Sequence, residues 1–112
     1  MGRKSKSKGK RGELELAHEL QALGFSNVRR SQQYCGTATS ADLSGLPGIH
    51  IECKRTESLA LYQALEQATK DSGNSGDFPA VFHRRNGKKW VVIMELKDWA
   101  SLFSRLINKS KL

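Results

Sequence analysis

The chain has 112 residues, enough for one domain with a modest core and too few for a second folding unit. Its net charge of +8 is uneven: Arg3, Lys4, Lys6, Lys8, Lys10 and Arg11 precede any acid, which suits a polyanion such as DNA, with a solvated tail or a localisation signal as the alternative. No run approaches the roughly 20 apolar residues of a membrane span, the N-terminus is charged where a secretory leader would be apolar, and the two cysteines lack CxxC or zinc-type spacing, so a cytoplasmic, reduced protein without structural zinc is expected, a single disulfide staying open.

Residues 1–11 are Lys, Arg, Ser and Gly with almost no apolar content, and read as a basic flexible arm ahead of a single domain at 12–108 and a basic tail at 109–112. Leu16, Ala17, Leu20 and Leu23 recur at helical spacing, so a first helix is expected over 12–23, closed by Gly24. A short strand over 25–30 and a polar loop over 31–40 follow.

Residues 41–43 and 49–54 flank a Ser-Gly-Leu-Pro-Gly cluster that supplies turn conformations, which predicts a β-hairpin. On its second strand Ile49, Ile51 and Cys53 alternate with His50, Glu52 and Lys54, so one face is apolar and the other polar. A second helix is expected from Ser58 to about Lys70, broken by the stretch from Ser72 to Gly76. Strands over 79–84 and 90–95 join through Asn86-Gly87, a hairpin turn signal, and Trp99, Leu102, Phe103 and Leu106 mark a last amphipathic helix to about Ile107. This order implies an α/β fold, a mixed sheet of about five strands flanked by helices, with strand order unreadable.

With the hairpin centred on Pro47, Asp42 lies opposite Glu52, and opposed residues point to one face. Two adjacent carboxylates are costly unless a cation sits between them, and hard oxygen ligands suit Mg²⁺ or Mn²⁺. Lys54, two residues after Glu52, shares that face, where its ammonium can position an attacking water and offset charge on a phosphorane-like transition state. A solvated strand face with a surface salt bridge is the plainer account of the same three residues.

An acid, a Gly-Pro turn and Glu-x-Lys on an apolar strand, between amphipathic helices, resemble the PD-(D/E)XK nuclease superfamily from about Lys10 to Trp99. Within it the chain is similar to archaeal-type Holliday-junction resolvases and related small phage and bacterial endonucleases. The resemblance implies a restriction-endonuclease-like core with a nuclease domain at 12–108. Asp42 and Glu52 would be the metal-binding acids and Lys54 the catalytic lysine. Glu13, in Lys10-Arg11-Gly12-Glu13, would be an outer metal or water ligand, with Glu15 its competitor for that role. Arg30-Ser31 and Gln67-Ala68 match positions that relatives place near DNA or the site. Ser40-Ala41-Asp42 departs from the family by lacking the eponymous proline.

The expected function is Mg²⁺-dependent DNA endonuclease activity, structure-selective and resolvase-like, on branched or junction DNA. Alternatives are a viral replication and repair or nicking nuclease on flap or duplex DNA, and a non-catalytic nucleic-acid-binding module. Candidate DNA contacts are Arg11, Arg29, Arg30, Ser31, Arg55, Gln67, Arg84, Arg85, Lys88 and Lys89, the last four around one hairpin tip. That tip charge could instead protect a sheet edge. Paired cuts on a junction call for a two-fold homodimer, with Trp99, Phe103 and Leu106 either interface or core. Tyr34 could stack on a base or simply be exposed, His50 is a weak ligand candidate, and His18 and His83 read as surface or half-buried residues.

Overall fold

In the computed structural model, residues 2–31 and 41–110 are described, with side chains for 9–31 and 41–109. The expected loop over 31–40, with Tyr34 and Cys35, falls outside them apart from Ser31, as do the side chains of residues 3–8 and the end of the basic tail. The first helix, α1 (Gly2–Ala22), begins at Gly2 rather than Gly12, so the segment expected as a flexible arm continues the helix. Lys, Arg and Ser are compatible with helix, and once the buried turns around Leu16 and Leu20 exist, each further residue adds only a propagation step. Gly24, at φ 109°, ends the helix as expected, with the Phe25 N–H donating to the Leu20 carbonyl at 3.0 Å.

Among the described residues five strands follow: β1 (Arg29–Arg30), β2 (Leu43–Ser44), β3 (Ile49–Arg55), β4 (Phe78–Arg84) and β5 (Val91–Ile93). β1 is shorter than the expected strand because the Val28 N–H turns back to the Phe25 carbonyl. The strands lie in chain order in one mixed sheet, antiparallel except for β3 and β4. That parallel pair is joined by α2 (Leu61–Ser72), the crossover a parallel connection needs. α2 starts later than the expected Ser58, whose carbonyl instead accepts the Thr56 hydroxyl in a turn. The last helix, α3 (Leu96–Ser110), is longer than expected at both ends.

The sheet is buried on both faces, each by its own helix. Leu16, Ala17 and Leu20 of α1 cluster with Leu43, Ile51, Ala80 and Phe82 on one face. On the other face Ala64, Leu65 and Ala68 of α2 pack on Val81. α1 approaches β3 closely because Gly12 carries no side chain: a β-carbon there would stand 2.5 Å from Arg55 Cβ. α3 makes far less contact with the sheet; Trp99, Phe103 and Leu106 are exposed and are not core. None of the helices is long and apolar enough to cross a membrane among the described residues.

Candidate active site

The hairpin register places Leu43 against Ile51, which sets Asp42 opposite Glu52 as the turn geometry predicts. Asp42 lies just outside β2, yet its N–H, its carbonyl and one carboxylate oxygen continue the ladder. Its N–H donates to the Ile51 carbonyl at 2.9 Å, its carbonyl accepts the Ser31 N–H at 3.0 Å, and its Oδ2 accepts the Cys53 N–H at 2.8 Å. The side chain thus replaces the carbonyl that β2 does not supply beyond Leu43. This bond, rather than a preceding proline, anchors Asp42.

Glu52 is only 5% exposed, on the face of β3 that α2 covers. Burial first, then the charge of Asp42 and a hydrogen bond between the two carboxyl groups, pushes the Glu52 carboxyl up to about 8, while Lys54 pulls weakly the other way. His50, equally buried, sits with Nε2 2.7 Å from Glu52 Oε1, and burial lowers its basicity. His50 therefore braces Glu52 as a neutral imidazole. Alternation had already placed it on this face, and its distance from Lys54 concealed how directly it meets Glu52.

Lys54 and Gln67 line one polar groove of about 400 Å³ between β3 and α2, which Gln63 completes one turn before Gln67. Gln67 also donates to Asp71 at 2.8 Å. Gln63 was missed at the level of sequence, although its i, i+4 spacing to Gln67 was legible.

The first-helix acids are engaged by arginines. Glu13 pairs with Arg30 at 2.8 Å, and Glu15 binds both Arg55 at 3.2 Å and Arg84 at 2.6 Å. Among the described residues no three His, Cys, Asp or Glu side chains converge closely enough to hold a metal, so Glu13 does not join Asp42 and Glu52 in one such group. The candidate DNA-binding cations divide in the same way. Arg30, Arg55 and Arg84 are held by acids, and Arg55 also donates to Asn86 Oδ1 at 2.9 Å, whereas Arg11, Arg29, Arg85, Lys88 and Lys89 are exposed. Ser31 is half-buried beside Asp42. His18 is exposed, and His83 Nδ1 lies 2.9 Å from the Lys54 carbonyl.

A family model described as phage putative PDDEXK endonuclease matches residues 4–112, nearly the whole chain. The chain belongs to this family. No curated protein and no solved structure matches it. Membership agrees with the five-stranded mixed sheet and three helices, a restriction-endonuclease-like α/β core, and with an acid facing Glu-x-Lys on adjacent strands. The carboxylate pair also fits the divalent metals that PDDEXK nucleases typically use. A buried carboxyl kept protonated by a neighbouring carboxylate gains most from a cation, and its oxygens are hard ligands.

Proposed function

We propose that this chain is a Mg²⁺-dependent DNA endonuclease, with Mn²⁺ able to substitute. Its substrate is branched DNA of the Holliday-junction type, cut by a two-fold homodimer in the cytoplasm of the phage-infected cell. The observation that carries the reading is Asp42 opposite a buried Glu52 whose carboxyl is pushed up to about 8, with Lys54 on the same strand face.

Asp42 and Glu52 would hold the ion. The chemistry such an ion would supply there is Lewis acidity towards a phosphate oxygen and a lowered pKa for a bound water. Lys54 steers the scissile phosphate and the water by charge, and stabilises the negative charge that accumulates as the phosphorus–oxygen bond forms. His50 fixes the carboxyl plane of Glu52, as outer groups commonly do for carboxylate ligands. Glu13 acts from the adjacent helix as an outer, water-mediated contributor. Gln67 and Gln63 offer amides to the strand lying in the groove beside Lys54. Arg11, Arg29, Ser31, Arg85, Lys88 and Lys89 contact flanking phosphates, while Arg30, Arg55 and Arg84 do so by exchanging an acid for a phosphate.

The test is cleavage of matched four-way junction, flap, nicked and duplex DNA with and without Mg²⁺, using the natural chain and Glu52→Ala. Cleavage of the junction that needs the ion and is lost in Glu52→Ala is expected. Salt-dependent binding with no cleavage of any substrate in Mg²⁺ or Mn²⁺ would leave only a nucleic-acid-binding module. Preference for flap or duplex would move the reading to a repair or nicking nuclease.

A further inference from the structure

α3 carries an apolar stripe at i, i+3, i+4 and i+7 that the fold leaves open to solvent. Trp99 is 50% exposed, Leu102 38%, Phe103 43% and Leu106 60%. The Trp99 and Phe103 rings stack nearly parallel, with centroids 5.2 Å apart and planes 9° from parallel, which forms a flat platform before any partner arrives. Along it runs a groove of about 400 Å³ whose lining among the described residues comes from α3, from Trp99 to Lys109. A contiguous apolar surface of this kind marks a contact site more often than ordinary solvent-facing helix.

Charge indicates what covers it. The stripe is flanked at its start by the carboxylate of Glu95, which Lys97 partly offsets while Asp98 is buried, and towards its end by Lys109, beyond Arg105, whose guanidinium lies over the Phe78 ring, so the exposed flank is acidic at one end and basic at the other. A second copy laid antiparallel meets this pattern with its complement. The helix macrodipoles then also oppose one another favourably.

The geometry points to α3 as the self-docking surface of the homodimer: two α3 helices pair antiparallel about a two-fold axis between Leu102 and Phe103. Trp99 of each copy then packs near Leu106 of the other, and Lys109 of one lies by Leu96 and Glu95 of the other. The interface is isologous, so each favourable contact occurs twice. The inference rests on the homodimer reading and adds the surface that makes it. A helix of 15 residues is about 22 Å long, and its stripe buries less than the roughly 800 Å² per partner of a standard stable interface. Association is therefore weak and concentration-dependent for the free protein, and tightens when both copies engage one DNA molecule.

Sedimentation equilibrium of the full chain over roughly 1 to 200 µM, the range where so small an interface associates, tests this. The natural chain is expected to pass from monomer to dimer, and Phe103→Asp to weaken the dimer at least about 100-fold while keeping the natural circular-dichroism melt. Glu95→Lys and Lys109→Glu should each weaken it about 3- to 10-fold, with the double variant restored to within about 2-fold. A dimer that Phe103→Asp leaves intact keeps the homodimer and overturns the α3 pairing. A chain that stays monomeric throughout overturns both. Failure of the charge swap to restore association overturns the antiparallel arrangement. Nuclease activity is read separately, on the same preparations, by junction cleavage.

Discussion

Asp42 Oδ2 accepts the backbone N–H of Cys53 at 2.8 Å, so one carboxylate both closes the end of the β2–β3 ladder and faces Glu52. The two roles separate by substitution. Asp42→Asn keeps an oxygen for the Cys53 N–H and removes the charge, so metal-free stability should hold or rise while Mg²⁺-dependent cleavage falls at least about 100-fold. Asp42→Ala also loses the bond and should be less stable than Asp42→Asn by about 1–2 kcal/mol. Urea melts and single-turnover cleavage on the same variants check both effects. Equal stability of the two would mean that the ladder bond contributes nothing.

Burial and Asp42 raise the Glu52 carboxyl from 4.5 to about 8. A carboxyl raised on folding contributes stability that is fully present below its unfolded value and is lost as pH climbs through its folded value. The metal-free protein should therefore lose melting temperature from about pH 5 to about pH 8, the stabilisation by added Mg²⁺ should grow over the same interval, and Glu52→Gln should flatten both trends. Thermal melts in a buffer series, with and without Mg²⁺, provide the measurement. A slope unchanged in Glu52→Gln would assign the titration to another group.

Gly12 is buried where α1 crosses β3, and a β-carbon there would lie 2.5 Å from Arg55 Cβ and 3.2 Å from its Cγ. Alanine normally favours helix over glycine by about 1 kcal/mol, but here the backbone-proximal part of Arg55 must move. Gly12→Ala should destabilise by about 1–3 kcal/mol and disturb the Glu15–Arg55–Arg84 ion pairs. Chemical denaturation decides the sign, and a stabilised variant would show that the helix and strand separate without cost.

Among the basic residues, ion pairing separates those that build the fold from those free to meet phosphate. Lys88 and Lys89 are exposed at the β4–β5 turn, so Lys88→Ala with Lys89→Ala should leave stability within about 0.5 kcal/mol. The same double variant should reduce the slope of log affinity against log salt by about 2, near 0.9 for each lost phosphate contact. Arg55 is held by Glu15, Glu57 and Asn86, so Arg55→Ala should cost about 1–3 kcal/mol of stability first. Binding isotherms at several salt concentrations, beside denaturation, distinguish the groups.

Apolar periodicity and turn residues alone made the element order, the β2–β3 register and the common face of Asp42, Glu52 and Lys54 legible, because alternation along a strand and the residues of a tight turn are local properties. Element ends were less so, since the reach of α1 back to Gly2 and the late start of α2 depend on helix propagation and on the Thr56 turn. What only the tertiary structure decided was which side chains pair. His50 shares Glu52 through the folded geometry of one strand face. Glu13 and Glu15 meet Arg30, Arg55 and Arg84 only because α1 lies across the sheet. Trp99 and Phe103 are exposed because α1 and α2 already cover both faces of the sheet, an outcome that no amphipathic stripe announces by itself.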